Sequence, residues 1–191
     1  GLPVSLETQE GPVVFNVYSR KHGDPERDYN FFVLSPTYFS QGNGHYRDIN
    51  QNRRNDIFFN PNVKDQHILS FLNLLKADGY SPLVVKGMAF SLEDPQGVEP
   101  VLKECVPEEN HRQIKEILVK GFQPGELFKK MIQDKIPLKT DRQKFLEKIL
   151  VFCRKNEVAE HTDGYWTDHW TYNLDLIESF LAVYPEELEN L

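Results

Sequence analysis

The stretch from Gly42 to Phe58, GNGHYRDINQNRRNDIF, is a dense run of guanidinium, carboxylate and amide side chains that leads directly into an apolar segment. Its two glycines free the backbone, and its planar polar groups make paired hydrogen bonds in fixed directions. Such an array suits a ligand covered in hydroxyl groups. A polar loop whose charges pair among themselves has the same composition, so the stretch alone leaves both interpretations open.

Periodicity around this stretch predicts a mainly α-helical chain with a few short strands. Ile49, Arg53 and Ile57 share one face at spacings of four, which indicates that residues 47–59 are partly helical. Further helices are predicted over residues 64–77, 107–120, 124–133, 141–154 and 165–184. Strands are predicted at residues 13–19, 31–35, 83–85 and 88–92, and residues 1–12 are expected to be irregular.

Length, composition and charge limit the classes of protein and partner. The chain has 191 residues with 39% hydrophobic and 27% charged side chains, so it fits one domain, or a large piece of one, that buries a core. The region from residue 93 to 138 is weakly patterned and is a candidate excursion from the main fold. The net charge of -7, without a dense basic face, argues against nucleic acid as a partner.

Cysteine usage and hydropathy predict a cytoplasmic protein. Cys105 and Cys153 lie far apart without a disulfide or metal motif, which favours reduced thiols. No apolar run approaches the roughly 20 residues of a membrane span, so no membrane partner is expected. Residues 1–12 lack a basic start followed by an apolar stretch, so no signal peptide is expected.

A second stretch, GYWTDHWTY from Gly164 to Tyr172, places four aromatic side chains around Asp168. A helix N-cap followed by core aromatics would explain part of this pattern. It does not explain why the aromatics crowd at the solvent end of the helix. Indole faces are good platforms for the apolar face of a sugar ring, and a carboxyl group beside indoles tends to keep its proton. A proton donor to a glycosidic oxygen needs that property.

Other catalytic patterns are weak. His45, His161 and His169 lack the HxH or HExxH spacing of metal ligands, so no metal is expected. His169 is instead expected to orient Asp168 or a substrate hydroxyl. The sequence contains neither a Walker phosphate loop nor a serine or cysteine nucleophile motif.

Together, the Arg-Asp-x-x-Gln element at residues 47–51 and the Trp-x-Asp-His element at residues 166–169 resemble a known enzyme family. They are similar to the inverting glycoside phosphorylases of glycoside hydrolase family 94, with the β-glucan phosphorylases of families 149 and 161 as relatives. The resemblance covers residues 42–59 and 164–184. It implies that residues 1–191 are part of a single (α/α)6-barrel catalytic domain, because five or six predicted helices fall short of twelve.

The resemblance also assigns roles to individual residues. It implies that Asp168 is the general acid and that inorganic phosphate is a co-substrate, with no other cofactor. The implied substrate-binding residues are Arg47, Asp48, Gln51, Asp56, Trp166 and His169. Asn52 and Thr167 stand where the family pattern usually carries acids, which leaves the donor sugar and the linkage open.

The implied reaction is inverting phosphorolysis of a β-linked glucan or disaccharide to a sugar 1-phosphate. An inverting hydrolase is an alternative, and it needs a second carboxylate about 6.5–9.5 Å from the acid, from Asp48, Asp56 or Asp163. A non-catalytic sugar-binding or scaffold segment is a third reading. Because the family's phosphate-binding residues follow the acid, the segment alone is expected to be inactive. It is also expected to associate with itself or with the rest of the catalytic domain.

Overall fold

The computed structural model describes residues 2–17, 39, 41, 44–161 and 166–191. The predicted strand at residues 31–35 lies outside these residues, as do Gly42, Asn43, Asp163 and Tyr165. The strands in the described part are β1 Leu2–Thr8, β2 Gly11–Val17, β3 Gly44–His45, β4 Val84–Leu92 and β5 Cys153–Glu160. The α-helices there are α1 Tyr46–Arg53, α2 Asp56–Phe59, α3 Gln66–Leu72, α4 Glu99–Cys105, α5 His111–Lys120, α6 Pro124–Gln133, α7 Arg142–Ile149 and α8 His169–Val183.

The strands form two antiparallel sheets. β1 and β2 make a hairpin with Leu2 opposite Val17, and β3, β4 and β5 make a second sheet in that order. β4 and β5 pair from Val84 opposite Glu160 to Leu92 opposite Cys153, so helices α4–α7 lie in the connection between two paired strands. Val84 at the start of β4 pairs with Glu160 at the end of β5, and on its other edge it pairs with His45, which directly precedes α1. The end of β5 and the start of α1 therefore lie near each other, on opposite sides of β4.

The prediction of a mainly α-helical segment of an (α/α)6 barrel is wrong. The described residues are 51% helical and 21% strand, and they form a mixed α/β domain with two small sheets. A double ring of helices packs helix against helix, whereas here α4–α7 and the strands β1, β2 and β4 bury their side chains in one shared core. Helical periodicity alone could not reveal this, since an amphipathic face packs equally well on a helix or on a sheet.

Several helices and strands have different bounds from those that the sequence predicts, mainly where a residue range forms a paired strand. The helix predicted for residues 141–154 ends at Ile149, and the polar segment from Cys153 begins β5. The two strands predicted around Gly87 are one strand, β4, in which Gly87 takes a φ of 108° at a β-bulge. Residues 2–8, expected to be irregular, form β1 because they pair with the predicted strand β2. The long helix predicted at residues 165–184 is confirmed as α8, whereas α3 covers only Gln66–Leu72 of the helix predicted at residues 64–77.

The described residues bury two hydrophobic clusters. The first, called the sheet core, includes Phe15, Phe90, Leu118, Phe128 and Leu146, which come from both sheets and the helices of the β4–β5 connection. The second, called the α8 core, contains Val14, Tyr46, Ile49, Ile57, Val63, Ile68, Phe71, Leu74, Val85, Leu176 and Phe180. Among the described residues, no helix is long and apolar enough to cross a membrane.

Candidate functional site

The two polar stretches of the sequence meet where α1 packs against the first turns of α8. The Tyr46 hydroxyl donates a hydrogen bond to Asn173 Oδ1 at 2.8 Å, across 127 positions of sequence. Asn50 Nδ2 donates to the same oxygen at 2.6 Å. The rings of Tyr46 and His169 stack with 4.8 Å between their centroids. These contacts fix the start of α1 against the start of α8.

Helical spacing determines which side chains lie beside this contact. Tyr46 and Asn50 are one turn apart on the buried face of α1, as are His169 and Asn173 on α8. The neighbouring residues are only partly buried: Arg47 and Asp48 on α1, Asp168 just before α8, and Tyr172 on α8. We call these four residues the polar cluster.

Arg47 connects the acidic groups of the polar cluster. Its Nε lies 3.3 Å from Asp48 Oδ1, and His45 Nδ1 lies 3.9 Å from the other Asp48 oxygen. Desolvation opposes the charged guanidinium, but the hydrogen bond to Asp48 and the charges of Asp48 and Asp168 together raise the pKa of Arg47. The Arg47 guanidinium therefore pairs with Asp48 and also interacts electrostatically with Asp168, which directly precedes α8.

The two oxygens of Asp168 have different environments. The Tyr172 hydroxyl donates to Oδ2 at 3.2 Å. Oδ1 is buried and has no hydrogen-bond partner within the described part of the chain. Asp168 has helical backbone angles and its side chain caps no backbone N–H, so it does not act as the N-cap that the sequence allowed. A buried carboxylate oxygen without a partner in the protein is uncommon.

The tryptophans beside Asp168 lie at the surface. Trp166 is 62% exposed just before α8, and Trp170 is 48% exposed on its first turn. Trp170 also approaches the backbone at Gly79, where an added Cβ would lie 3.8 Å from its ring. Both indoles are thus accessible to a ligand, and neither is a core side chain.

His169 lies behind the polar cluster rather than at its surface. It is 3% exposed, and its Nδ1 lies 2.6 Å from Ser81 Oγ. Burial lowers the pKa of His169, with the nearby Asp168 carboxylate acting in the opposite direction. A neutral, enclosed imidazole positions α8 and does not reach a ligand on the exposed side.

Gln51 and Asp56 are the remaining predicted substrate residues. Gln51 is half-buried one turn after Arg47 on α1. Asp56 is buried in α2, where its Oδ2 lies 3.0 Å from His67 Nε2 and accepts a hydrogen bond from Asn16 at 3.3 Å. The structure brings Arg47, Asp48 and Asp168 together, with Trp166 nearby in sequence, but it places Asp56 in a different group of charges.

That second group surrounds a cavity of about 40 Å³ between α1, α3 and the sheet. Its polar lining side chains are Asn16, Gln41, Arg53, His67, Ser70 and Glu157. Burial lowers the pKa of Arg53 to about 10, against the opposing charges of Asp56 and Glu157. The described residues include no group of three or more His, Cys, Asp or Glu side chains that could hold a metal ion.

Sequence reasoning missed Tyr172, Asn50 and Asn173. A signal was available for Asn173, which occupies the inward spacing of α8 together with Leu176 and Phe180. A polar residue at a core position of an amphipathic helix requires a buried partner. The partner is an asparagine of α1, and only the packing of the two helices identifies it.

Comparison with known proteins gives no relative for this chain. No protein-family model matches it, no curated protein matches its sequence, and no solved structure matches its fold.

Proposed function

We propose that the polar cluster binds a β-linked glucan or disaccharide and that the protein cleaves it by inverting phosphorolysis. Arg47 and Asp48 bind the donor-sugar hydroxyls, Asp168 donates a proton to the glycosidic oxygen, and inorganic phosphate attacks the anomeric carbon. The observation that supports this proposal is the meeting of the two motifs, Arg47-Asp48 and Asp168, at the contact between α1 and α8. The proposal does not depend on a barrel.

The composition of the cluster supports a hydroxyl-rich ligand. Guanidinium and phenol groups donate hydrogen bonds, and the carboxylates of Asp48 and Asp168 accept them. A sugar hydroxyl does both, so it matches a site that presents both kinds of group. The exposed faces of Trp166 and Trp170 add a flat apolar surface, which suits the C–H face of a pyranose ring.

The environment of Asp168 supports a role in proton transfer. Among the described residues its buried Oδ1 has no hydrogen-bond partner, and its Oδ2 accepts a hydrogen bond from the Tyr172 hydroxyl. Arg47 lies close enough that the charge of Asp168 contributes to the raised pKa of the guanidinium. Proton donation requires that the bound sugar bring its glycosidic oxygen within hydrogen-bond distance of the Asp168 carboxyl group.

Hydrolysis is the second candidate, because Asp48 places a second carboxylate in the same cluster. An inverting hydrolase uses such a group to activate water, whereas a phosphorylase uses phosphate as its nucleophile. Binding without chemistry is the third candidate. A cytoplasmic location, and association with itself or with further catalytic residues, remain predictions.

The test measures binding on residues 1–191 and turnover on the full-length protein, because the segment alone is expected to be inactive. Calorimetry with β-1,3- and β-1,4-linked gluco-oligosaccharides measures binding, and release of sugar 1-phosphate is followed with and without inorganic phosphate. Arg47→Ala should weaken binding by about 1.5–3 kcal/mol, the range for hydrogen bonds to charged groups. Arg112→Ala, which removes an exposed arginine of α5, is the matched control.

Asp168→Asn tests the role of the acid, and the phosphate dependence of the wild-type protein separates the three candidates. Turnover should fall about 10²–10⁴-fold while binding survives, because only acid catalysis is removed. Release of free sugar without phosphate would favour hydrolysis, and binding without turnover would favour a sugar-binding module. Unchanged affinity in Arg47→Ala on a folded protein would remove the site itself.

A further inference from the structure

The cavity beside the end of α1 plays no part in the proposed function. It has a volume of about 40 Å³ and lies where α1 and α3 meet strands β2, β4 and β5. Its apolar wall comes from Ile49, Phe71, Leu74, Val85 and Met88. Polar side chains from the same elements complete the lining, and one of them, Arg53, is only 4% exposed. A strongly polar group is thus enclosed next to an apolar wall.

The polar side chains of the lining are fixed by contacts with one another and with the backbone. Ser70 Oγ donates a hydrogen bond to Glu157 Oε1 at 2.6 Å. Gln41 Nε2 donates to the carbonyl oxygen of Met88 at 3.1 Å, and Gln41 Oε1 accepts from the N–H of the same residue at 2.8 Å. These groups therefore keep their orientation before any ligand binds.

The charges around the cavity balance. The cations are Arg53 on α1 and Lys155 on β5. The anions are Asp56 on α2 and Glu157 on β5, and both act on Arg53. Burial lowers the pKa of His67, so its imidazole is neutral at neutral pH. These charges favour neither an anion nor a cation, and they suit a neutral ligand that both donates and accepts hydrogen bonds.

The volume of the cavity restricts the ligand to a very small molecule. A water molecule needs about 10–15 Å³ of such space, whereas pockets for larger ligands measure about 300–1,000 Å³. A sugar ring does not fit. About two or three water molecules do.

We propose that the cavity binds a small cluster of ordered water molecules that hydrates the Arg53 guanidinium and bridges it to Glu157. Water accepts hydrogen bonds from guanidinium N–H groups and donates them to carboxylate oxygens, so it matches both ends of this bridge. Burial lowers the pKa of Arg53 to about 10, which leaves the guanidinium charged at neutral pH. A buried charge needs partners or hydration to offset its desolvation. The inference is independent of the proposed function.

The water cluster connects three elements of the fold. Arg53 lies in the last turn of α1, Ser70 on α3 and Glu157 on β5. Hydrogen bonds through water therefore hold the end of α1, whereas the hydrogen bond between Tyr46 and Asn173 holds its start.

The first experiment is crystallography of the 191-residue chain with and without xenon pressure. We expect density for ordered water within about 2.7–3.2 Å of the Arg53 and Glu157 side chains, and no xenon in the cavity. Xenon enters dry apolar cavities and not hydrated polar ones. Xenon in this cavity, or no water density beside Arg53, overturns the proposal.

The second experiment detects the water in solution. In protein with ¹³C-labelled methyl groups, the methyl groups of Val85 and Met88 should show NOEs from long-lived water, because both residues line the cavity. Leu118, which is fully buried in the sheet core, is the matched control and should show none. Equal results for Val85, Met88 and Leu118 overturn the proposal.

Arg53→Met tests whether the guanidinium holds the water. It removes the charge and keeps a long side chain, so the water NOE of Val85 should be lost. Arg112→Met, at an exposed arginine of α5, should leave that NOE unchanged. A folded Arg53→Met variant with the wild-type NOE overturns the role of Arg53. The two wild-type experiments decide the water site itself, including where Arg53→Met does not fold.

Discussion

The sheet core and the α8 core bury similar kinds of apolar side chain but differ in what accompanies them. Buried polar or charged side chains among the described residues are Asn50, Arg53, Asp56, His67, Ser81, His169 and Asn173. All of them lie on α1, α2, α3 and α8 or on the loop before β4, and none lies on helices α4–α7. In the described part of the chain, three buried polar side-chain atoms lack a hydrogen-bond partner, and they belong to Asn50, Asn173 and Asp168.

This difference indicates that one cluster mainly stabilises the fold and that the other positions α1 against α8. Apolar burial is non-directional and tolerates small movements, whereas buried hydrogen bonds act only at fixed distances and angles. The sheet core therefore stabilises the fold. The buried hydrogen bonds beside the α8 core, among Tyr46, Asn50 and Asn173, determine where α1 lies relative to α8. The polar cluster depends on that second property.

The largest effect on stability is expected in the sheet core. Leu146→Ala removes a fully buried side chain on α7 and should lower the free energy of unfolding by about 2–5 kcal/mol, because it removes apolar burial and leaves a cavity. Urea unfolding measures the change. Val119→Ala, at an exposed position of α5, is the control. Sugar binding by the fraction that remains folded should be unchanged, and a loss of affinity there would contradict the separation of the two cores.

Tyr46→Phe tests the α8 core with a smaller change. It removes only the hydroxyl that donates to Asn173 Oδ1, and it should lower the free energy of unfolding by about 1–3 kcal/mol, the cost of a broken buried hydrogen bond. Sugar affinity should fall as well, because Arg47 follows Tyr46 on α1. Normal affinity in a destabilised variant would show that the hydroxyl contributes to stability without positioning the cluster.

Acid should weaken the α8 core. Burial lowers the pKa of His67, against the hydrogen bond to Asp56, and burial also lowers the pKa of His169. The unfolded state, with histidine pKa values of about 6.5, then binds more protons than the folded state. The free energy of unfolding should be highest above about pH 6.5 and should fall as the pH decreases through the lowered values.

Denaturant unfolding at several pH values from about 7.5 to 5.5 measures this dependence. The variant His67→Gln should show a shallower dependence than the wild type, because one of the titrating groups has been removed. Equal stability across this range in the wild type would mean that the two buried histidines do not couple to folding.

The smallest effect is expected at the exposed edge of α8. Arg54 Nη1 lies 2.9 Å from Asp175 Oδ2, and both side chains are partly exposed. Solvent and salt screen such a pair, so Arg54→Ala should change the free energy of unfolding by no more than about 1 kcal/mol. Thermal unfolding at low and high salt checks this value. A larger loss would show that geometry at the α1–α8 contact depends on surface charge as well as on the buried network.

Sequence patterns predicted the helices and strands whose own residues carry a clear pattern. Helices α5, α6 and α8 have regular apolar spacing and end near the predicted residues, and β2 carries a run of β-branched and aromatic side chains. β1 and β5 were missed because their residues become strands only through pairing, β1 with β2 and β5 with β4. β-strand preference depends on the neighbouring strand more than helix preference depends on its surroundings.

The sequence by itself determined which side chains make up the proposed sugar site: the paired polar groups at Arg47 and Asp48, and the acid among aromatics at Asp168. It also determined the apolar faces that each helix must bury. Only the tertiary structure decided that these faces pack on sheets, that Asp56 and His169 lie away from the surface of the site, and that Tyr172 holds one oxygen of Asp168. The physical reason is that residue type and helical period are local properties. Contacts such as Tyr46 with Asn173 depend instead on how distant segments pack, and many sequences with the same periodicity can pack differently.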